Sequence, residues 1–131
     1  MFELSQKAKY ALTFLNFLSN QDNKIYSSVK IISNQTGLPY WFLSQIAVDL
    51  KRAGIVDAKE GKGGGYYLKK LLDKVSLKTM VEAVDGKVGF VECQIGEFCG
   101  NQDYCHSRGK WDEIRNEVAK VLEKFKVSEI V

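Results

Sequence analysis

The three cysteines and the only histidine of this chain fall within residues 93 to 106, "CQIGEFCGNQDYCH". Five residues separate Cys93 from Cys99 and Cys99 from Cys105, and His106 follows directly. Thiolates and imidazole are transition-metal ligands, and clustered cysteines in a reducing compartment bind metal or sense redox state more often than they form disulfides. Structural zinc sites favour close cysteine pairs around a small tetrahedral ion. An iron–sulfur cluster accepts wider spacers, because its ligands attach to different irons. The spacing therefore predicts a cluster, 2Fe–2S or 4Fe–4S, with a zinc site as the alternative. Gly96 and Gly100 let the segment wrap closely. Three thiolates leave one position to fill. His106 is the preferred fourth ligand; Glu92, Glu97, Asp103, Glu3 or Ser5 of a second subunit, and water are the other candidates. A non-cysteine ligand leaves one iron more labile and open to oxygen or nitric oxide, as a redox sensor requires.

The rest of the chain offers no competing chemistry. With its single histidine beside Cys105, it has no Ser/His/Asp or Cys/His/Asn arrangement. "GKGGGYY" lacks the ending of a phosphate-binding loop and no helix follows it, so neither an enzyme nor a small-molecule substrate is expected. At 131 residues, 45% of them apolar and 27% charged, the chain fits one ordinary globular unit that buries a core without disulfides. No apolar run is long enough for a membrane span, and the N-terminus, with Lys7 and Lys9, shows no signal cleavage site; the expected location is the cytoplasm, with no membrane partner. The net charge of +3 is uneven: residues 1–70 hold ten Lys/Arg against five Asp/Glu, residues 71–131 nine against eleven. A basic first half points to a polyanionic partner.

The elements that must position these residues follow from periodicity. Residues 5–19 form a helix whose apolar positions cover so much of its circumference that it is buried on more than one side. Ser27 or Ser28 caps a short second helix, stopped by Gly37. In "GLPYWFLSQIAVDLKRAG", Pro39 suits a first turn, Leu43, Ile46, Ala47 and Leu50 recur at helical spacing, and Gly54 closes the helix. This pair of helices is the outline of a helix-turn-helix. Residues 55–59 and 65–69 then form a hairpin, or wing, with a glycine-rich tip.

In such a unit the helix after Pro39 lies in the major groove of DNA. Tyr40, Trp41, Ser44 and Gln45 face the bases, Gln45 being able to pair with adenine and the rings to pack on thymine methyls or backbone. Phe42 is expected in the core, and Trp41 either in the core or on the DNA. Ser28, Lys51, Lys59, Lys62 and the bare backbone at Gly63 and Gly64 are candidate DNA-contacting positions, the lysines for phosphate; Arg52 joins Lys51 as phosphate contact or solvated face. Residues 76–84 form a short helix with Leu77, Met80, Val81 and Val84 inward. A last helix over about 108–127 carries Trp111, Ile114, Val118, Val121, Leu122 and Phe125 in one stripe, for which pairing with the same helix of a second subunit is preferred over packing back on its own domain.

The run "GLPYWFLSQIAVDLKRAGIVDAKEGKGGGYYL", then "VEAVDG" and three evenly spaced cysteines, resembles the bacterial winged helix-turn-helix transcription regulators of the IscR and NsrR type, iron–sulfur and nitric-oxide regulators. The resemblance covers nearly the whole chain. It implies a homodimer with long crossed helices, reading of a palindromic double-stranded operator by the winged helix, and a cluster held before the dimer helix. By position, Cys93, Cys99 and Cys105 match its cluster ligands, Trp41, Ser44 and Gln45 its base-facing positions, and Lys59, Lys62 and residues 63–65 its wing. Two positions depart from the pattern. Glu60 stands where the wing often has an arginine, and Arg108 stands where the IscR-like histidine would be, three residues after the last cysteine. The acidic ligand of the NsrR-like pattern falls among Lys7, Ala8 and Lys9.

The expected fold is mainly α with a small β wing: a winged helix-turn-helix domain over 1–86, a cysteine loop over 87–107, and a dimerisation helix and tail over 108–131. The expected function is a repressor-type regulator whose operator binding responds to redox, nitric oxide or iron–sulfur status. The alternative is a winged-helix protein-interaction regulator with reduced or zinc-bound cysteines.

Overall fold

A computed structural model describes residues 3–22, 25–87, 89 and 108–131. The helix α1 (Gln6–Ser19) starts at Ser5, whose hydroxyl oxygen accepts from the Ala8 N–H at 3.0 Å. Its Ala8, Ala11, Phe14, Leu15 and Leu18 are buried, and it packs against three other helices and the wing, so it is the centre of the core. Ser28 caps α2 (Val29–Thr36) by accepting from the Ile31 N–H, and Gly37 ends it in the left-handed conformation. Ser27, the other candidate cap, pairs instead through its backbone with Tyr66, at 2.8 and 3.1 Å, and so adds a third short rung to the wing sheet.

Pro39 is the N-cap of α3 (Tyr40–Arg52), one residue before the first turn expected for it. Leu43, Ile46, Ala47 and Leu50 are fully buried, as their spacing requires. Phe42 departs from expectation: it is 39% exposed, edge-on to Tyr10 of α1 at 5.5 Å. It lies one position short of the buried face, on the flank of α3 that reaches α1.

Strands β1 (Val56–Lys59) and β2 (Gly65–Leu68) are antiparallel, with Val56 opposite Leu68 and Lys59 opposite Gly65. A 3-10 turn (Leu72–Lys74) leads to α4 (Leu77–Asp85), capped by Ser76. The last long helix, α5 (Arg108–Lys124), ends three residues before the expected boundary. There the chain turns back: the Phe125 carbonyl accepts from the Leu77 N–H at 2.8 Å and the Val127 N–H donates to the Val75 carbonyl at 2.9 Å. Val127, in α6 (Val127–Ile130), is thereby fully buried in the same core as α1 and α3. Among the described residues no helix is long and apolar enough to cross a membrane.

Candidate nucleic-acid interface

With its four core residues turned inward, α3 presents the opposite face to solvent. Trp41 is 83% exposed, so it is not a core residue; Gln45 lies on the same face and Ser44 is half-buried beside it. Tyr40 stands edge-on to Trp41 at 5.6 Å. Across from this face stands the wing, and the two enclose one open groove. Ser28, Tyr40, Ser44, Lys59 and Gly64 all line it. Trp41, Ser44, Gln45 and Val48 line an adjoining concavity. The structure thus brings together most of the DNA-facing positions expected from the sequence. It leaves Lys51 on the last turn of α3, and Lys62 and Gly63 at the wing tip, exposed and outside the groove lining.

Two glycines of the wing have work inside the molecule. A Cβ on Gly64 would collide with the Lys59 carbonyl, and one on Gly65 would lie 2.5 Å from the Ser27 carbonyl carbon. Their lack of a side chain lets the hairpin close and dock on the chain before α2, apart from any approach to phosphate. Lys59 is steadied by aromatic rings: its ammonium lies 5.2 Å from the centre of the Tyr26 ring, and Tyr26 meets Tyr67 edge-on at 5.3 Å. Its charge is held at the groove edge. Arg52 lies 3.7 Å from the Asp49 carboxylate, which Lys7 of α1 also reaches at 2.7 Å. That pair ties α1 to α3 and leaves Lys51 as the cation of this turn with no acidic partner among the described residues.

Sequence reasoning missed several groove residues, among them Lys30 and Val48, with Val29, Ala58 and Tyr66 also in the lining. Val48 was detectable as an apolar residue outside the periodicity of the buried face; Lys30, two positions after a capping serine, gave no comparable signal.

Cys93, Cys99, Cys105 and His106, with Glu92, Glu97 and Asp103, lie outside the described residues. Among the described residues no three His, Cys, Asp or Glu side chains come together to hold a metal. The donor set of residues 93–106, three thiolates plus an imidazole, suits iron chemically. The two described candidates for a ligand from a second subunit are both engaged within their own chain. Ser5 donates to both carboxylate oxygens of Asp85, at 2.8 and 2.6 Å, next to the end of α4. Lys9, hydrogen-bonded to Glu3 at 2.9 Å, holds that carboxyl below the usual carboxylate range.

On α5, Ile114 and Val121 are exposed (43 and 50%), as is Phe125 just past its end (46%), while Trp111, Val118 and Leu122 are half-buried. The helix leans on α4, where Lys78 and Glu82 face Arg115, Asn116 and Ala119 across a groove. One edge of the apolar stripe is shaded by the chain's own fold; the outer edge is bare.

The Rrf2 family model, described as an iron-dependent transcriptional regulator, matches residues 4–131. The HTH-type transcriptional regulator IscR of Erwinia tasmaniensis is 27% identical over 128 residues, which cover 98% of this chain and 78% of that one. An rrf2-like HTH-type transcriptional regulator of Rhodobacter capsulatus is 32% identical over 122 residues, covering 91% of this chain and 78% of the relative. The structure of CymR, the global cysteine regulator of B. subtilis, matches with a TM-score of 0.72 at 25% identity, over 99% of this chain and 96% of that one. T. potens IscR has the same fold, with a TM-score of 0.70 at 19% identity over 98% and 85% of the two chains. These relatives are named as regulators rather than enzymes. A recognition helix exposed beside a wing, and a family match that runs through both, lead to one conclusion: the chain belongs to the Rrf2 family of DNA-binding transcriptional regulators.

Proposed function

We propose that this regulator acts as a cytoplasmic homodimer on a palindromic operator, and that its affinity for DNA responds to an iron–sulfur cluster held by Cys93, Cys99 and Cys105, with His106 as fourth ligand. The observation that carries the DNA half is Trp41, 83% exposed in a concavity it shares with Gln45 and Ser44, next to the groove that Ser44 and Lys59 line. A large ring left bare among hydrogen-bonding groups suits a partner that is both polar and stacked. Gln45 and Ser44 read base edges, Tyr40 and Trp41 pack on methyls or sugar, and Ser28, Lys51, Lys59, Lys62, Gly63 and Gly64 meet the phosphate backbone.

The bare outer edge of α5 supports pairing of two chains through Trp111, Ile114, Val118, Val121, Leu122 and Phe125. On this reading residues 1–86 read DNA, 87–107 sense, and 108–131 dimerise. The cluster would supply a redox- and nitric-oxide-sensitive charge on the segment that follows α4 and precedes α5 in the sequence. Asp85 ends α4 a few residues before that segment in the chain; its bonds to Ser5 join α4 to the start of α1, and Lys7 with Asp49 joins α1 to α3.

Anaerobically prepared protein is expected to be coloured and to bind a selected palindromic duplex with a steep salt dependence. His106→Ala should change the visible spectrum if the imidazole ligates iron; an unchanged spectrum removes His106 from the ligand set. Colourless protein carrying one zinc per chain after reconstitution would refute the cluster. The likeness to a global cysteine regulator favours a second reading, in which the cysteines stay reduced or zinc-bound and the winged helix answers to a protein partner. Operator binding indifferent to iron, with a protein retained on pulldown, would establish that reading instead.

A further inference from the structure

The major-groove face of α3 carries an apolar residue that the periodicity of its core does not explain. Leu43, Ile46, Ala47 and Leu50 are fully buried, whereas Val48 projects outside that face and is 49% exposed. A β-branched residue on the outside of a helix is a poorer helix former than alanine by roughly 0.6 kcal/mol and leaves apolar surface in water. Nothing among the described residues covers it, yet it lines both the groove between α3 and the wing and the concavity under Trp41.

Its neighbours identify the partner. Ser44 and Gln45 stand on the turn before it, between it and the exposed Trp41, and Lys51 and Arg52 on the turn after, so hydrogen-bonding and cationic groups break the apolar surface here into two separate side chains. That is too small for a protein-docking patch. It matches the floor of the major groove, where the thymine C5-methyl is the apolar feature among donors and acceptors. Along the axis Val48 lies three residues beyond Gln45, about 4.5 Å, which is close to one base step of roughly 3.4 Å.

We propose that Val48 is a specificity-determining residue that reads a thymine methyl one or two base pairs from the adenine paired with Gln45. The proposal rests on the DNA-binding reading of the same face.

The test starts from a duplex selected from a random pool by the intact protein. Each thymine is replaced in turn by deoxyuridine, which removes the methyl and keeps the base pair. Wild-type protein should lose about 3- to 10-fold in affinity at one thymine per half-site, the scale expected for one methyl removed from an apolar contact. V48A should bind the thymine and uracil duplexes equally at that position, and V48T, which keeps the shape and replaces a methyl with a hydroxyl, should discriminate less than wild type. Gln45→Ala locates the neighbouring adenine. Equal melting temperatures would show that V48A is folded, as its exposure leads one to expect. Uracil sensitivity that survives in V48A, an affinity loss in V48A that is uniform across sequences, or capture of a protein by this face in place of a duplex would overturn the proposal while leaving any observed operator binding intact. A wild-type chain that selects no duplex would overturn the DNA-binding reading with it.

Discussion

The helices α3 and α5 both leave apolar side chains in water, but in different company. On α3, Trp41 and Val48 are separated by Gln45 and flanked by Ser44 and Lys51. On α5 and just past its end, the exposed Ile114, Val121 and Phe125 recur at helical spacing with the half-buried Trp111, Val118 and Leu122, and charged residues pair along the helix, Lys110 with Glu113 and Lys120 with Glu117. An apolar side chain set among hydrogen-bonding groups fits a wet partner with a mixed surface. A continuous stripe edged by charge fits a dry one, most simply a second copy of itself. On the proposed reading the same residue types serve two kinds of recognition, decided by what lies between them.

Substitutions on each helix test the two kinds of contact separately. Val121→Asp puts a carboxylate into the proposed dry contact, where an unpaired buried charge costs at least about 3 kcal/mol. Sedimentation should then show self-association weakened by a hundredfold or more, with the helical circular dichroism of each chain retained. If Val121→Asp stays dimeric, the stripe is not the interface. Trp41→Ala should leave the oligomeric state and melting temperature unchanged and lower operator affinity by about 10- to 100-fold, as loss of roughly 1–3 kcal/mol of base contact predicts. A Trp41→Ala protein that binds as wild type but melts early would return that ring to a structural role. The smallest effect is a gain: Glu60→Arg, on the exposed wing, should tighten binding a few-fold and only on duplexes with a narrow A-tract minor groove beside the half-site. An equal gain on every duplex would mean the wing meets only phosphate.

Much of the fold could be read from local pattern. The buried face of α3, the capping role of Ser28, the stop at Gly37 and the hairpin follow from residues within a few positions of one another. The misreadings involve partners far along the chain. The extra residues assigned to the last helix, 125–127, leave it because their backbone pairs with Val75, Ser76 and Leu77, and no local signal records that. Phe42 meets Tyr10 of α1, and Gly65 is required by Ser27, both contacts between separate elements. The proposed DNA face is the part of α3 that the core does not claim, and the periodicity of the buried residues was enough to expect it exposed. The proposed sensing role of residues 93–106, which lie outside the described residues, follows from residue type and spacing alone.

The central claim is that this segment governs the DNA face. Its most direct test is a titration of a labelled operator duplex with anaerobically purified protein, before and after iron is removed by chelation, at one fixed salt concentration. The account predicts isotherms separated by at least about fivefold, the lower end of typical coupling between sites, with Cys99→Ser following the iron-free curve throughout. Coincident isotherms from a protein whose spectrum shows iron bound and then lost would contradict it.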